Sequence, residues 1–128
     1  MEEYANRNET LLAMGFKDYR AYLRSKLWRA IRRKQLEKCP DCYGCSKPAN
    51  QVHHTSYDYG VLNGESNNGL FSLCARCHMW VEVTKSGYKR TPTQATKELE
   101  RIHRMYAHPS RLKFDRPIAR LARIRNPG

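Results

Sequence analysis

At 128 residues the chain has the length of one ordinary domain and too little for two full-sized cores. Apolar residues make up 40% of it, and no run nears the roughly 18 consecutive apolar residues that cross a bilayer, so a membrane-spanning reading is excluded. Lys and Arg number 24 against 12 Asp and Glu, and the net +12 points to a polyanionic partner, nucleic acid ahead of an anionic membrane surface. Met1-Glu2-Glu3-Tyr4 has neither a basic start nor an apolar stretch behind it, so no leader is read there and a cytoplasmic location is expected.

The apolar run Thr10 to Met14 is followed by Gly15, a plausible helix stop. Asp18 can cap a short segment carrying Tyr19, Tyr22 and Leu23 at helical spacing. Ser25 then reads as the N-cap of a helix from Lys26 to about Lys38, with Leu27, Trp28 and Ile31 on its inner face. Lys26, Arg29, Arg32 and Arg33 fall on the outer face, which reads either as a plain solvated surface or as a phosphate-binding one. Short extended pieces follow, Gln51 to His54 and Leu70 to Leu73, separated by a polar stretch from Thr55 to Gly69 that reads as a long loop. A helical stretch from about Ala75 carries Met79, Trp80 and Val83 and can end at Gly87. Thr91-Pro92-Thr93-Gln94 is a strong helix start, with a threonine N-cap, proline at the first turn and glutamine three after the cap. Ala95, Leu99, Ile102 and Tyr106 give that helix one apolar stripe, and Pro109 breaks it. Arg116-Pro117 opens a last short helix with Arg116, Arg120 and Arg123 on one face. His103 and His108 read as ordinary polar positions, Trp28 and Trp80 as core anchors.

Charge divides the chain in three. Residues 1–38 hold 10 basic and 5 acidic side chains, residues 39–84 hold 2 and 4, and residues 85–128 hold 12 and 3. A slightly acidic middle between basic flanks suggests that the flanks grip a polyanion while the middle does something else. The organisation expected is a basic helical arm over 1–38, a central module over 39–87 and a second basic helical arm over 88–128.

All five cysteines, Cys39, Cys42, Cys45, Cys74 and Cys77, lie in that middle. An odd number arranged as Cys-x-x-Cys pairs argues for metal over disulfides. Cys74 and Cys77 form one pair; upstream, either Cys39 with Cys42 or Cys42 with Cys45 supplies the other half of a tetrahedral zinc site. A lone cysteine is more simply a small buried hydrophobe, but two x-x spaced pairs make that the weaker reading. The spacings fit neither a two-Cys two-His finger nor a nucleobase deaminase.

Val52-His53-His54-Thr55 sets two histidines side by side on an extended segment, where they face opposite ways and cannot easily share a job. His78 directly follows Cys77, and Glu82 lies four residues on, about 6 Å along the same helix face. His53, His78 and Glu82 can therefore ligate a second metal, with His54 beside it as a general base. The plainer alternatives are a zinc-site role for His78 and a solvated charge for Glu82.

Cys42-Tyr43-Gly44-Cys45, Gln51 to Tyr57 with its histidine pair, Leu73 to His78, and Glu82 together resemble the HNH endonucleases of the zinc-knuckle type. Tyr22-Leu23-x-Ser25-x-x-Trp28 resembles the lead-in helix of small phage and bacterial members, so the likeness covers about residues 19–84. It implies an α+β fold, the ββα-metal core of the HNH family, with a structural zinc held by four cysteines and flanked here by basic helices. The seven residues between Cys45 and His53 match relatives and favour Cys42 and Cys45 as the upstream pair, leaving Cys39 over. The family's middle asparagine falls at Gly69, a departure that Asn67 or Asn68 would have to make good.

The activity implied is hydrolysis of one strand of duplex DNA per site, leaving 5′-phosphate and 3′-hydroxyl ends, in the cytoplasm of a bacterial or phage-infected cell. His54 would take a proton from water, and Mg²⁺ or Mn²⁺ on His53, His78 and Glu82 would steady the phosphate and leaving oxygen. A monomer would nick, and a double-strand break would take a second protomer or a second cutting event. Arg29, Arg32, Arg33, Arg116, Arg120 and Arg123 are the expected phosphate contacts. Two other classes stay open: a non-catalytic zinc-knuckle DNA-binding module, and an assembly partner of another nucleic-acid machine.

Overall fold

Helices arranged around one two-strand hairpin build the fold. The computed structural model describes residues 5–107. The expected last helix with Arg116, Arg120 and Arg123, as well as His108 and Pro109, lies outside the described residues.

α1 spans Ala5–Ala13, and Gly15 turns the chain at φ +96, a region open to glycine. α2, Tyr19–Leu23, is capped by Asp18, whose carboxylate accepts from the Ala21 N–H at 2.8 Å. α3, Lys26–Lys38, starts at Ser25, whose hydroxyl oxygen accepts from the Trp28 N–H at 3.1 Å; such caps contribute about 1 kcal/mol each. β1, Gln51–His54, pairs antiparallel with β2, Leu70–Leu73, in the register Gln51 to Leu73 and His54 to Leu70. α5, Ala75–Glu82, follows β2 directly, and α6, Pro92–Ala107, begins with the expected reciprocal cap: Gln94 N–H to Thr91 Oγ1 at 3.2 Å, Thr91 N–H to Gln94 Oε1 at 3.0 Å.

The two-strand sheet lies between two apolar clusters. One gathers Leu11, Tyr22, Trp28, Ile31, Val52, Val61, Leu62 and Leu70, so both N-terminal helices and α3 pack on one side of the hairpin. The other gathers Cys42, Cys45, Leu73, Cys77, Val81, Ala95, Leu99 and Ile102 and joins α5 to α6. Leu99 and Ile102 are fully buried there, worth about 1.5–3 kcal/mol apiece.

Two expectations change. The stretch from Thr55 to Gly69 contains a short helix, α4, Tyr59–Leu62, because Val61 and Leu62 need burial and the Leu62 carbonyl accepts from the Tyr22 hydroxyl at 2.7 Å. α5 stops at Glu82, five residues before Gly87, since Val83 turns extended and bridges Lys89. Its buried apolar face is Cys77 and Val81, one turn apart, while Met79 is exposed and Val83 lies past the helix end.

Candidate functional site

α5 carries two sets of candidate ligands on successive residues. The knuckle from Cys42 to Cys45 is a tight turn: the Lys47 carbonyl accepts from the Cys42 N–H at 2.6 Å, the Cys42 carbonyl from the Ser46 N–H at 2.9 Å, and the Tyr43 N–H reaches back to the Ser72 carbonyl at 2.8 Å. Gly44 is required by space, because a Cβ there would stand 3.0 Å from both Cys77 Sγ and Ile102 Cγ2. Cys74 caps α5, its sulfur accepting from the Cys77 N–H at 3.4 Å.

The sulfurs of Cys42, Cys45, Cys74 and Cys77 all lie within 4.8 Å of one another. Cys39 is exposed and outside the group, so the upstream pair is Cys42 and Cys45. A tetrahedral zinc with bonds of about 2.3 Å needs sulfurs about 3.8 Å apart, and Cys45 Sγ to Cys74 Sγ is 3.8 Å. The four-thiol set therefore fits zinc. Hydrogen bonding among the thiols, first with Cys42, draws Cys74 below the usual thiol range and pushes Cys45 and Cys77 above it, while bonding with Cys45 lowers Cys42. His103 is more than an ordinary polar position: its ring stacks on Tyr43 at 4.0 Å and its Nδ1 donates to the Tyr43 carbonyl at 2.8 Å, tying α6 to the knuckle.

The second set lies on a different face of α5, since successive helix residues are turned about 100° from one another. His53, His78 and Glu82 offer two ring nitrogens and a carboxylate oxygen within 4.8 Å of one another, a donor set able to hold a divalent ion. His53 Nδ1 is 3.5 Å from Glu82 Oε1, and the rings of His53 and His78 are 5.4 Å apart. His78 Nδ1 donates to Gln51 Oε1 at 2.5 Å.

His54 turns to the other side of the strand and is boxed by aromatic rings. Trp28 is 4.8 Å away, Tyr57 stacks at 5.3 Å, and the Tyr19 hydroxyl and His54 Nδ1 are joined by a hydrogen bond of 2.8 Å. His53 and His54 are each only 5% exposed, and the Nε2 of each is buried with no hydrogen-bond partner among the described residues. Burial, then His78 and His54, lowers His53 to about 3; burial, then the Arg7 guanidinium and His78, lowers His54 to about 4. Both rings are therefore neutral near pH 7, as ligands and bases must be. Burial and then Tyr57 hold the Tyr19 hydroxyl well above the phenol range, so it stays protonated.

One cavity of about 470 Å³ is lined by both histidine environments: His53, His54, His78 and Glu82 meet there with Tyr19 and Gln51. Its walls also carry Arg7, Arg20, Arg32 and Lys89, and Arg7 lies over the Tyr19 ring at 4.3 Å. Of the expected phosphate contacts on α3, Arg32 reaches this cavity and donates to the Asn50 carbonyl, while Arg29 and Arg33 are exposed outside it. Gly69, with φ +100, leaves no room for a side chain, since a Cβ would stand 2.7 Å from that of Ser56. A backbone tie closes the loop instead: the Gly69 carbonyl accepts from the Thr55 N–H at 2.7 Å and the Thr55 hydroxyl at 3.2 Å, and Asn67 and Asn68 are exposed.

No protein-family model, curated protein or solved structure matches the chain. Sequence reasoning missed Gln51, Tyr19 and Arg7. For Gln51 a signal was present, because it sits two before His53 and so on the same strand face. Tyr19 gave none, since a tyrosine at helical spacing reads as core.

Proposed function

We propose that the chain is an HNH-type endonuclease with a ββα-metal core, in which β1, β2 and α5 carry the reacting groups and the flanking segments 1–38 and 88–128 grip duplex DNA. The observation that carries this reading is the convergence of the His53, His78 and Glu82 donor atoms on the cavity that also holds His54. A divalent cation bound there supplies Lewis-acid stabilisation of the scissile phosphate and the leaving 3′-oxygen. With two imidazoles among three donors, the site suits Mn²⁺ or another transition ion better than Mg²⁺.

His54 accepts the proton of the attacking water at Nε2. For that its hydrogen must sit on Nδ1, and the Tyr19 hydroxyl oxygen is placed to accept it. Arg7, Arg20, Arg32 and Lys89 draw the phosphate into the cavity. Each site cuts one strand, as a monomer. The four cysteines hold a structural zinc that fixes the start of α5 and so the height of His78 and Glu82.

A plasmid assay tests the reading: supercoiled DNA is converted to nicked circles with 5′-phosphate and 3′-hydroxyl ends, most strongly with Mn²⁺, and EDTA stops it. A second reading, a DNA-binding module without chemistry, is favoured by the side-chain-free position 69, where the family carries asparagine. It predicts binding with no nicking under any divalent ion.

A further inference from the structure

Gln51 opens β1, and the two-residue period of a strand turns it to the same face as His53. Its register partner is Leu73, the residue before Cys74, so the hairpin fixes its position relative to the start of α5. From there its Oε1 meets Nδ1 of His78 at 2.5 Å. An amide oxygen only accepts, so the bond keeps the ring hydrogen on Nδ1 and leaves the lone pair on Nε2. A free imidazole offers either nitrogen, and a ring held at one nitrogen has also lost most of its freedom to turn.

We propose that Gln51 is a positioning residue of the metal site: its side-chain carbonyl selects Nε2 of His78 as the ligating atom and aims that ring toward His53 and Glu82. The inference rests on His53, His78 and Glu82 being a metal site and is independent of which reaction occurs there. A neutral amide in this place orients the ring without the added basicity that a carboxylate partner gives, so the bound cation keeps more of its Lewis acidity.

The test uses the full chain with its cysteine site zinc-loaded. Calorimetric titration with Mn²⁺ is run on the wild type, Gln51→Ala and Gln51→Glu, beside nitrogen NMR of the His78 ring in the Mn²⁺-free wild type. The His78 hydrogen is expected on Nδ1 in the wild type, Mn²⁺ affinity is expected to fall 10- to 100-fold in Gln51→Ala with zinc content unchanged, and Gln51→Glu is expected to bind at least as tightly as wild type. Wild-type affinity in Gln51→Ala, or a hydrogen on Nε2 of His78 in the wild type, overturns the proposal; the NMR result needs no variant to fold. A wild type that takes Mn²⁺ but nicks nothing removes the nuclease reading and leaves the role of Gln51 decided by the affinities. A wild type that takes no Mn²⁺ overturns the metal site and the inference together.

Discussion

Cys77 and His78 are neighbours in sequence, yet they belong to two regions of opposite character. Cys77 is fully buried in the cluster that α5 shares with α6, among four like, soft donors with the tetrahedral spacing of a closed zinc site. His78 stands half-buried on a cavity wall, among mixed nitrogen and oxygen donors, in a cavity that arginines and a lysine also line. A hundred-degree turn between successive helix residues separates the two. Enclosure and donor identity, more than the presence of ligands, divide a site that holds the fold from one open to chemistry.

Breaking the closed site should have the largest effect. Cys77→Ser is expected to lose zinc and the cooperative thermal transition together, since such an ion contributes on the order of 10 kcal/mol in small zinc domains. Cys39→Ser should keep one zinc per chain and melt as wild type does; metal analysis with circular dichroism checks both. Breaking the open site should spare the fold. His54→Gln keeps most of the ring's volume, which His54→Ala would vacate among Trp28, Tyr19 and Tyr57. It is expected to cut nicking at least about 100-fold with zinc retained.

Acid sharpens the contrast. His53 and His54 are held neutral when folded, at about 3 and about 4, whereas unfolded they titrate near 6.5. The unfolded chain therefore binds more protons below pH 6.5, and stability falls as pH drops from about 6.5 toward 4. For His54 the loss is on the order of 3 kcal/mol, so His54→Gln should lose less stability than wild type over that range in denaturant titrations. Tyr19→Phe removes only the bond to His54 Nδ1, and nicking should fall roughly five- to tenfold, the scale of about 1 kcal/mol. Smallest of all, Arg29→Ala or Arg33→Ala should leave rates at saturating DNA unchanged. Each should lower the slope of log affinity against log salt by about 0.9.

Local signals explain what could be read without coordinates. Ser25, Asp18 and the Thr91 to Gln94 box announce helix starts within one turn of chain, and the hairpin strands coincide with the short extended pieces read on either side of the polar stretch from Thr55 to Gly69. The cysteine set was legible except for its register, which depended on whether Cys39 could reach the others. α4 was illegible because four residues are too few for a period to show. The surroundings of His54 were illegible for a different reason: Tyr19 is 35 positions away, and the contact exists only once α2 packs on the hairpin. Gly69 was read as a missing asparagine. In the fold it is a residue whose carbonyl makes the loop tie and whose neighbours exclude a side chain.

His78→Ala, assayed in one preparation for zinc content and for Mn²⁺-dependent plasmid nicking, tests the division of labour along α5 most directly. One zinc per chain with nicking abolished is the predicted result. Nicking at the wild-type rate, or zinc lost along with the activity, would contradict it.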